Sequence, residues 1–260
     1  MAYENILYEV KEGVAVLTVN RPKAMNALNN ATWKEIADVI TKVEKDNNVK
    51  ALIITGAGNR AFVAGVDITE LLVLEGEALR KHSETMHENQ GRIEKLGKPV
   101  IAGVNGVAFG GGFELALSCH LRVASEHAAF GLPETGLGAL PGAGGTQRLP
   151  RVIGKSQALY YLLTGESIKA QDALRLGLVN KVVAPDEVMT YCFAIAKVIA
   201  SKAPLATKYV MEAVEEGLKV DLDSGLKIEL DLNMKNTQTA DFKEGTSAFT
   251  QKRTPVWKGK

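Results

Sequence analysis

The chain has 260 residues, which allows one large domain or two small ones and a full hydrophobic core without disulfide or metal staples. Lys and Arg total 31 against 30 Asp and Glu, a net charge of +1, and this argues against a nucleic-acid or membrane-surface binder held by bulk electrostatics. The apolar fraction of 46% and charged fraction of 23% are those of a globular protein, not of a disordered or collagen-like one.

In chain order, Val14 to Val19 reads as a β-rich run ended by Asn20-Arg21-Pro22. Asn30 offers an N-cap for a helix over Ala31 to Glu44, where Trp33, Ile36, Ile40 and Val43 recur at helical spacing. Val49 to Thr55 is a second buried strand, closed by Gly56-Ala57-Gly58-Asn59, and Ala61 to Gly65 is short and apolar, with Asp67 opening a new segment. A charged helix covers Glu77 to Leu96 and is broken at Lys98-Pro99, and Val100 to Val104 is the third strong strand. Gly110-Gly111-Gly112 follows, then a helical stretch from Phe113 to Cys119 and short strands at Leu121–Ala124 and Ala128–Gly131. The second half reads as helices over 156–163, 169–176, 185–201, 204–217, 224–234 and 239–252, interrupted by one strand at Leu178 to Val183. No linker and no fixed-signature repeat is visible. The expectation is an α/β core over residues 1–200 and a helical C-terminal region over 201–260.

The N-terminus shows neither a secretory signal nor an Arg-rich transit peptide, and the most apolar stretch, Pro99 to Cys119, is interrupted by Asn105, Glu114 and five glycines. Cys119 and Cys192 form no CxxC pair and no disulfide framework, so a reducing, cytoplasmic setting is expected.

Several chemical signals fail on inspection. Residues 149–156 end like a phosphate-binding loop, but Leu149 stands where the first Gly is required. Gly136-Leu137-Gly138 meets Pro141 at the third glycine position of a dinucleotide fingerprint. Gly245-Thr246-Ser247-Ala248-Phe249 lacks the last Gly of a nucleophile elbow. His82 and His87 lack zinc-protease spacing, and no Cys/His cluster suggests a metal, so surface or structural roles are expected for the four histidines.

Glycine and acid placement survives. Gly110-Gly111-Gly112 between a strand and a helix lets backbone approach a ligand and leaves amides free at the helix start, a pattern that serves an oxyanion site or simply a tight turn. Glu114 falls in the first helical turn among Phe113, Leu115, Ala116 and Leu117, either a poorly solvated carboxyl of raised pKa or a partner of the helix dipole. Glu134 lies in a loop bracketed by apolar and glycine residues, as a solvated acid or as the second member of an acid/base pair. Spacing alone does not bring the two together.

At these residues the sequence resembles the crotonase superfamily, the enoyl-CoA hydratases and isomerases, over nearly its whole length. The resemblance is carried by residues 20–28, by Ala61-Phe62-Val63-Ala64-Gly65-Val66-Asp67-Ile68, by 99–106, by 110–116, by Pro133-Glu134 and by 141–149. It implies an α/β spiral of ββα turns with a helical C-terminal trimerisation region, and self-association as a trimer or a dimer of trimers. It implies an acyl-CoA thioester substrate and no separate cofactor, metal, nucleic-acid partner or membrane. Its ligand-contacting positions map onto Lys23, Ala24, Met25, Ala64, Val66, Asp67, Ile68 and Gly111, with Phe249 and Lys252 reaching a neighbouring subunit's ligand. The amides of Val66 and Gly111 would form the oxyanion hole. Family hydratases carry catalytic glutamates at the positions of Glu114 and Glu134, so the resemblance favours reversible hydration of a trans-2-enoyl-CoA, in fatty-acid or short-chain acyl-CoA metabolism. Glu134 would exchange the C2 proton and Glu114 would orient the water. The neighbouring readings are an enoyl-CoA isomerase and a hydratase of branched or dienoyl substrates; a non-enzymatic RNA-binding or scaffold role gains no support from the charge and aromatic content. Leu132, Phe113 and Thr69 depart from the Gln, Cys and Lys that hydratases often have at those positions.

Overall fold

The computed structural model describes residues 3–260. The chain winds through repeated turns in which one strand joins a first sheet, the next joins a second sheet, and a helix returns the chain. Strands β1 (Ile6–Lys11), β2 (Val14–Val19), β3 (Ala51–Gly56), β5 (Val100–Val104), β7 (Leu121–Ser125) and β10 (Lys181–Val183) form the first sheet in the order β1-β2-β3-β5-β7-β10. Strands β4 (Ala61–Val63), β6 (Val107–Phe109), β8 (Ala129–Gly131) and β9 (Ile168–Lys169) form the second, in the order β4-β6-β8-β9. All pairings are parallel except β1 with β2 and β8 with β9.

The first sheet is covered on both faces, which explains its unbroken apolar runs. Ala15, Leu17, Leu52 and Ile54 point into the main core, and their neighbours Val14, Val16, Ala51 and Ile53 meet Val188, Cys192 and Ala196 of helix α8 (Val188–Ala200). The main core is closed by α1 (Asn30–Lys45), α3 (Gly76–Glu94) and α4 (Gly111–Ser118), with Trp33, Phe62, Phe113 and Phe130 among its largest fully buried side chains. The short α2 (Ile68–Leu71), α5 (Gly145–Ile153), α6 (Lys155–Thr164) and α7 (Ala170–Arg175) complete the core turns. Helices α9 (Pro204–Gly217), α10 (Leu222–Thr237) and α11 (Ala240–Thr250) follow. No single helix among the described residues is long and apolar enough to cross a membrane.

The expected elements are present with shifted ends, and five (β1, β6, β9, α2 and α5) were not read from the sequence. Strand β1 is an edge strand with only Ile6 buried, so its apolar alternation is diluted by Glu9 and Lys11; it is joined to β2 by Glu12 and Gly13, both at positive φ (53° and 77°), the geometry of a two-residue hairpin. Strands β6 and β9 are too short for a periodicity, and α5 carries Pro150 in its interior. The expected N-cap moves one residue: Asn29 caps α1, its Oδ1 accepting from the Thr32 amide at 2.8 Å, while Asn30 is the first helical residue and its Oδ1 pairs with His82 Nδ1 at 2.8 Å. Helix α4 begins at Gly111 and not at Phe113.

Gly56 marks the corner where the chain leaves the first sheet for the second. A Cβ there would lie 2.2 Å from the Phe62 carbonyl oxygen and 2.4 Å from that of Ala61. These are backbone atoms fixed in β4, so the corner has little room to relax. Gly56→Ala is expected to destabilise the fold by about 3 kcal/mol, the upper part of the overpacking range, read as a lowered urea midpoint at unchanged slope; an unchanged midpoint would refute the tight corner.

Candidate active site

Strand β6 ends against the glycine turn that opens α4. Gly110 takes φ 49° and ψ −128°, which only glycine adopts readily, and donates its amide to the Gly131 carbonyl at 2.9 Å. A Cβ on Gly112 would lie 2.1 Å from the Val63 carbonyl oxygen, and one on Gly111 would lie 2.7 Å from Val66 Cγ2 and 3.7 Å from the Val66 nitrogen. The turn therefore packs backbone on backbone against β4 and the segment after it. As the first residue of α4, Gly111 has an amide without an intrahelical acceptor.

Val66 is held by a strand-like pairing with residues 25–28. Ala64 donates to the Met25 carbonyl, Leu28 to Gly65 and Asp67 to Leu28, at 3.1, 2.9 and 2.9 Å. In that ladder the Val66 amide points away from Leu28. Pro22–Ala24 forms a 3₁₀ turn that places Lys23 and Ala24 on the surface, and Met25 and Asn26 follow with φ of 52° and 59°. Asn26 fills that left-handed position because its side chain is fully used: Oδ1 accepts from Arg21 N, and Nδ2 donates to the carbonyls of Ala57 and Ala61. Asp67 caps α2, accepting from Thr69 N and Oγ1, and pairs with Arg21 at 2.9 Å, so its carboxylate is engaged within the chain and Thr69 and Arg21 hold its pKa below the ordinary range. Ile68 begins α2 and is 56% exposed.

Glu114 is only 2% exposed, as its apolar neighbours suggested. Its Oε1 accepts from the amides of Ala143 and Gly145, each at 2.8 Å. Burial raises its pKa, opposed by those two amides and by the charges of Arg148 and His87. Glu134 lies in the 3₁₀ turn after β8, half-buried, with Oε1 placed 3.1 Å from where a Cβ on Gly110 would be. Its Oε2 is buried and has no hydrogen-bond partner among the described residues. Burial, reinforced by repulsion from Glu114, pushes its pKa up to about 7. The turn thus gathers Gly111, Val66, Glu114 and Glu134, which spacing alone left apart.

Phe249, 86% exposed, and Lys252 stand on the surface at and just after the end of α11. Phe113 turns into the core, 5.3 Å from the Phe130 ring, and Leu132 packs against Gly145 beside the Glu114 carboxylate. Residues 143–145 and Arg148 were legible only as part of a motif; the contacts of Ala143 and Gly145 with Glu114 span 29 and 31 positions of sequence and leave no local signal. Among the described residues no group of three or more His, Cys, Asp or Glu side chains is arranged to hold a metal ion.

The family model for enoyl-CoA hydratase/isomerase matches residues 9–260. The chain belongs to the enoyl-CoA hydratase/isomerase family. Among family relatives, it is 47% identical to a short-chain-enoyl-CoA hydratase of Clostridium acetobutylicum, with 97% of each chain covered. It is 48% identical to a crotonyl-CoA hydratase of Syntrophomonas wolfei, again with 97% of each covered. A solved enoyl-CoA hydratase from Bacillus anthracis superposes with a TM-score of 0.96 at 40% identity, covering 99% of this chain and 100% of that one. Enoyl-CoA hydration is the activity that this family match and these relatives support, and the fold is the crotonase fold of the family.

The raised pKa of Glu134 carries a stability consequence. The folded chain binds the Glu134 proton more tightly than the unfolded chain does, so stability is lost as pH rises from the ordinary carboxylate range through about 7. Glu134→Gln removes that loss. Its melting temperature relative to the parent is expected to be higher at pH 8 than at pH 5; a difference independent of pH would contradict the environment described for Glu134.

Proposed function

We propose that this chain hydrates a trans-2-enoyl-CoA reversibly to a 3-hydroxyacyl-CoA, with Glu114 and Glu134 handling the elements of water and the amides of Val66 and Gly111 holding the thioester oxygen. The observation that carries the reading is the pairing of two burial-perturbed carboxyls with two adjacent backbone donors at one glycine turn.

The thioester oxygen accepts from the two amides, which favour the enolate because they are preorganised where its charge develops. Water adds its hydroxyl to C3 while the C2–C3 π electrons move toward the thioester. Glu114, anchored through Oε1, leaves its second oxygen to orient the water and take its proton. Glu134, with a pKa of about 7, is partly protonated at neutral pH and supplies the proton that bonds to C2 as the enolate collapses. Proton exchange between the carboxyls through solvent restores the pair. The sum is one water consumed, one C–O bond and one C–H bond formed; no redox equivalent enters, and the reading includes no separate cofactor.

Lys23, Ala24, Met25, Ala64, Asp67 and Ile68 border the donor segment, and in this reading they line the path of the CoA portion, Asp67 by holding its loop rather than by touching ligand. Phe249 and Lys252 extend from residues 201–260 toward a ligand on a neighbouring subunit. The apolar surface of α9 and α10, where Val210, Val214, Leu226 and Leu230 are all at least half exposed, supports assembly as a trimer or a dimer of trimers through that region. Both cysteines are free and buried, which supports a reducing, cytoplasmic setting.

Glu134→Gln is expected to lower the turnover of crotonyl-CoA, followed by loss of its conjugated-enone absorbance, by about 10²–10⁴-fold while CoA-ester binding persists. A rate near that of the parent would overturn the assignment. Light scattering on the active full-length chain is expected to return a mass in a multiple of three subunits, and truncation before Thr239 to weaken both assembly and CoA-ester binding; a monomeric active chain would refute the assembly.

A further inference from the structure

The Glu114 carboxylate is held by a loop, and the loop is held by one side chain. Ala143 is fully buried and bonded on both sides: its amide donates to Glu114 Oε1, and its carbonyl accepts from Arg148 Nη1 at 2.9 Å. Between Ala143 and the second amide donor, Gly145, lies Gly144 at φ 101°, where a Cβ would sit 2.0 Å from Arg148 Nη1. The guanidinium thus occupies the space a side chain at 144 would take. It is fixed in turn by α3: Nε and Nη2 grip the two oxygens of Glu94 at 2.5 and 2.9 Å, and Nη1 also reaches Gln90 Oε1 at 2.9 Å. Four of its five N–H donors are committed, in the planar fork that a lysine does not reproduce.

We infer that Arg148, clamped by Glu94, is a positioning residue for the hydration reaction: it fixes the 143–145 loop so that Glu114 presents its free oxygen to the water. This rests on the proposed role of Glu114. The clamp has two separable effects. The fork sets geometry, and an error near 1 Å in a reacting group costs on the order of 10²-fold in rate. The charge sets protonation: Arg148 favours ionised Glu114, and Glu94 offsets part of that charge. The other titratable groups that face these side chains are His87 from α3, Glu134 from the turn after β8, Cys119 and His120 after α4, both of which feel the Glu94 charge, and Glu215 of α9, whose proton affinity is raised by burial and by Glu94 and lowered by Arg148.

The test compares Arg148→Met, Arg148→Lys and Glu94→Gln in the full-length chain, with Glu114→Gln as the control for the underlying reading. Arg148→Met is expected to reduce kcat for crotonyl-CoA by on the order of 10²-fold with KM little changed, and to move the acid limb of kcat/KM to higher pH. Arg148→Lys keeps the charge but not the fork, so kcat should fall while the limb stays in place. Glu94→Gln leaves the arginine less compensated and should move the limb to lower pH. A merely structural clamp would lower activity without opposite pH displacements. If Arg148→Met does not fold, the Glu94→Gln limb alone decides, and an unmoved limb overturns the inference. Full activity in Glu114→Gln would sink the reading of Glu114 itself; an inactive Glu114→Gln beside Arg148→Met and Glu94→Gln variants of parental kcat and pH profile would sink only the clamp.

Discussion

A carboxylate inside an apolar core is the constraint around which the rest of the site is arranged. Glu114 sits on α4 with core residues on every side, and an ionised carboxyl in that setting is costly unless donors replace the lost water. Two backbone amides do so, and both come from a loop 29 and 31 residues away. Bringing that loop so close requires glycine at 144 and 145: the first takes a left-handed turn, and a Cβ on the second would meet both Leu132 and Glu114 Oε1 at 3.0 Å or less. The same helix must also start flush against β4, which requires glycine at 112 because the Val63 carbonyl occupies the space of a side chain. Burial of the acid dictates glycine in one segment, and the close packing of its helix on β4 dictates glycine in another.

Two donor amides meet at this turn by different means. That of Gly111 is free because it opens a helix; that of Val66 is free because residues 64–67 pair with residues 25–28 on their other edge. The second arrangement costs two consecutive residues, Met25 and Asn26, at positive φ, a strained state that needs compensation. Asn26 supplies it with three hydrogen bonds, two of them to the carbonyls of Ala57 and Ala61 at the corner between the sheets. Arg21 adds bonds to Ala27 and Asp67. The donor segment is thereby tied to the core rather than left as a mobile loop, as an oxyanion site of fixed geometry demands.

What was legible in the sequence followed local physics. Buried parallel strands such as Val49–Thr55 announced themselves as unbroken apolar runs, and Pro204 and Gly217 bound α9 where the residues said they would. Edge strand β1 was missed because only Ile6 is buried, Leu7 and Val10 stand exposed, and Glu9 and Lys11 interrupt the apolar run. Helix α5 was missed because Pro150 breaks the pattern that its burial of Leu149 and Ile153 would otherwise give. At the site, residue types pointed to Glu114, Glu134 and the glycine turn, but their meeting depends on how two sheets and the turns between them pack, which spacing does not encode. Arg148 was least legible: an arginine in a motif looks like surface charge until its partners on α3 are known.

The two acids differ in how they are held, and the difference suits different tasks. Glu114 has one oxygen fixed by two amides and a compensating arginine nearby, so its charge is supported and its direction set. Glu134 sits nearer solvent, yet its Oε2 is buried without a donor and the neighbouring carboxylate repels its charge. Among the described residues only its own amide stabilises the anion, so the proton stays on to near neutral pH. A fixed, supported anion is the better holder of a water, and a carboxyl that is indifferent between its two forms near pH 7 is the better proton donor and acceptor. Unequal surroundings, rather than unequal residue types, divide the proposed labour between two glutamates.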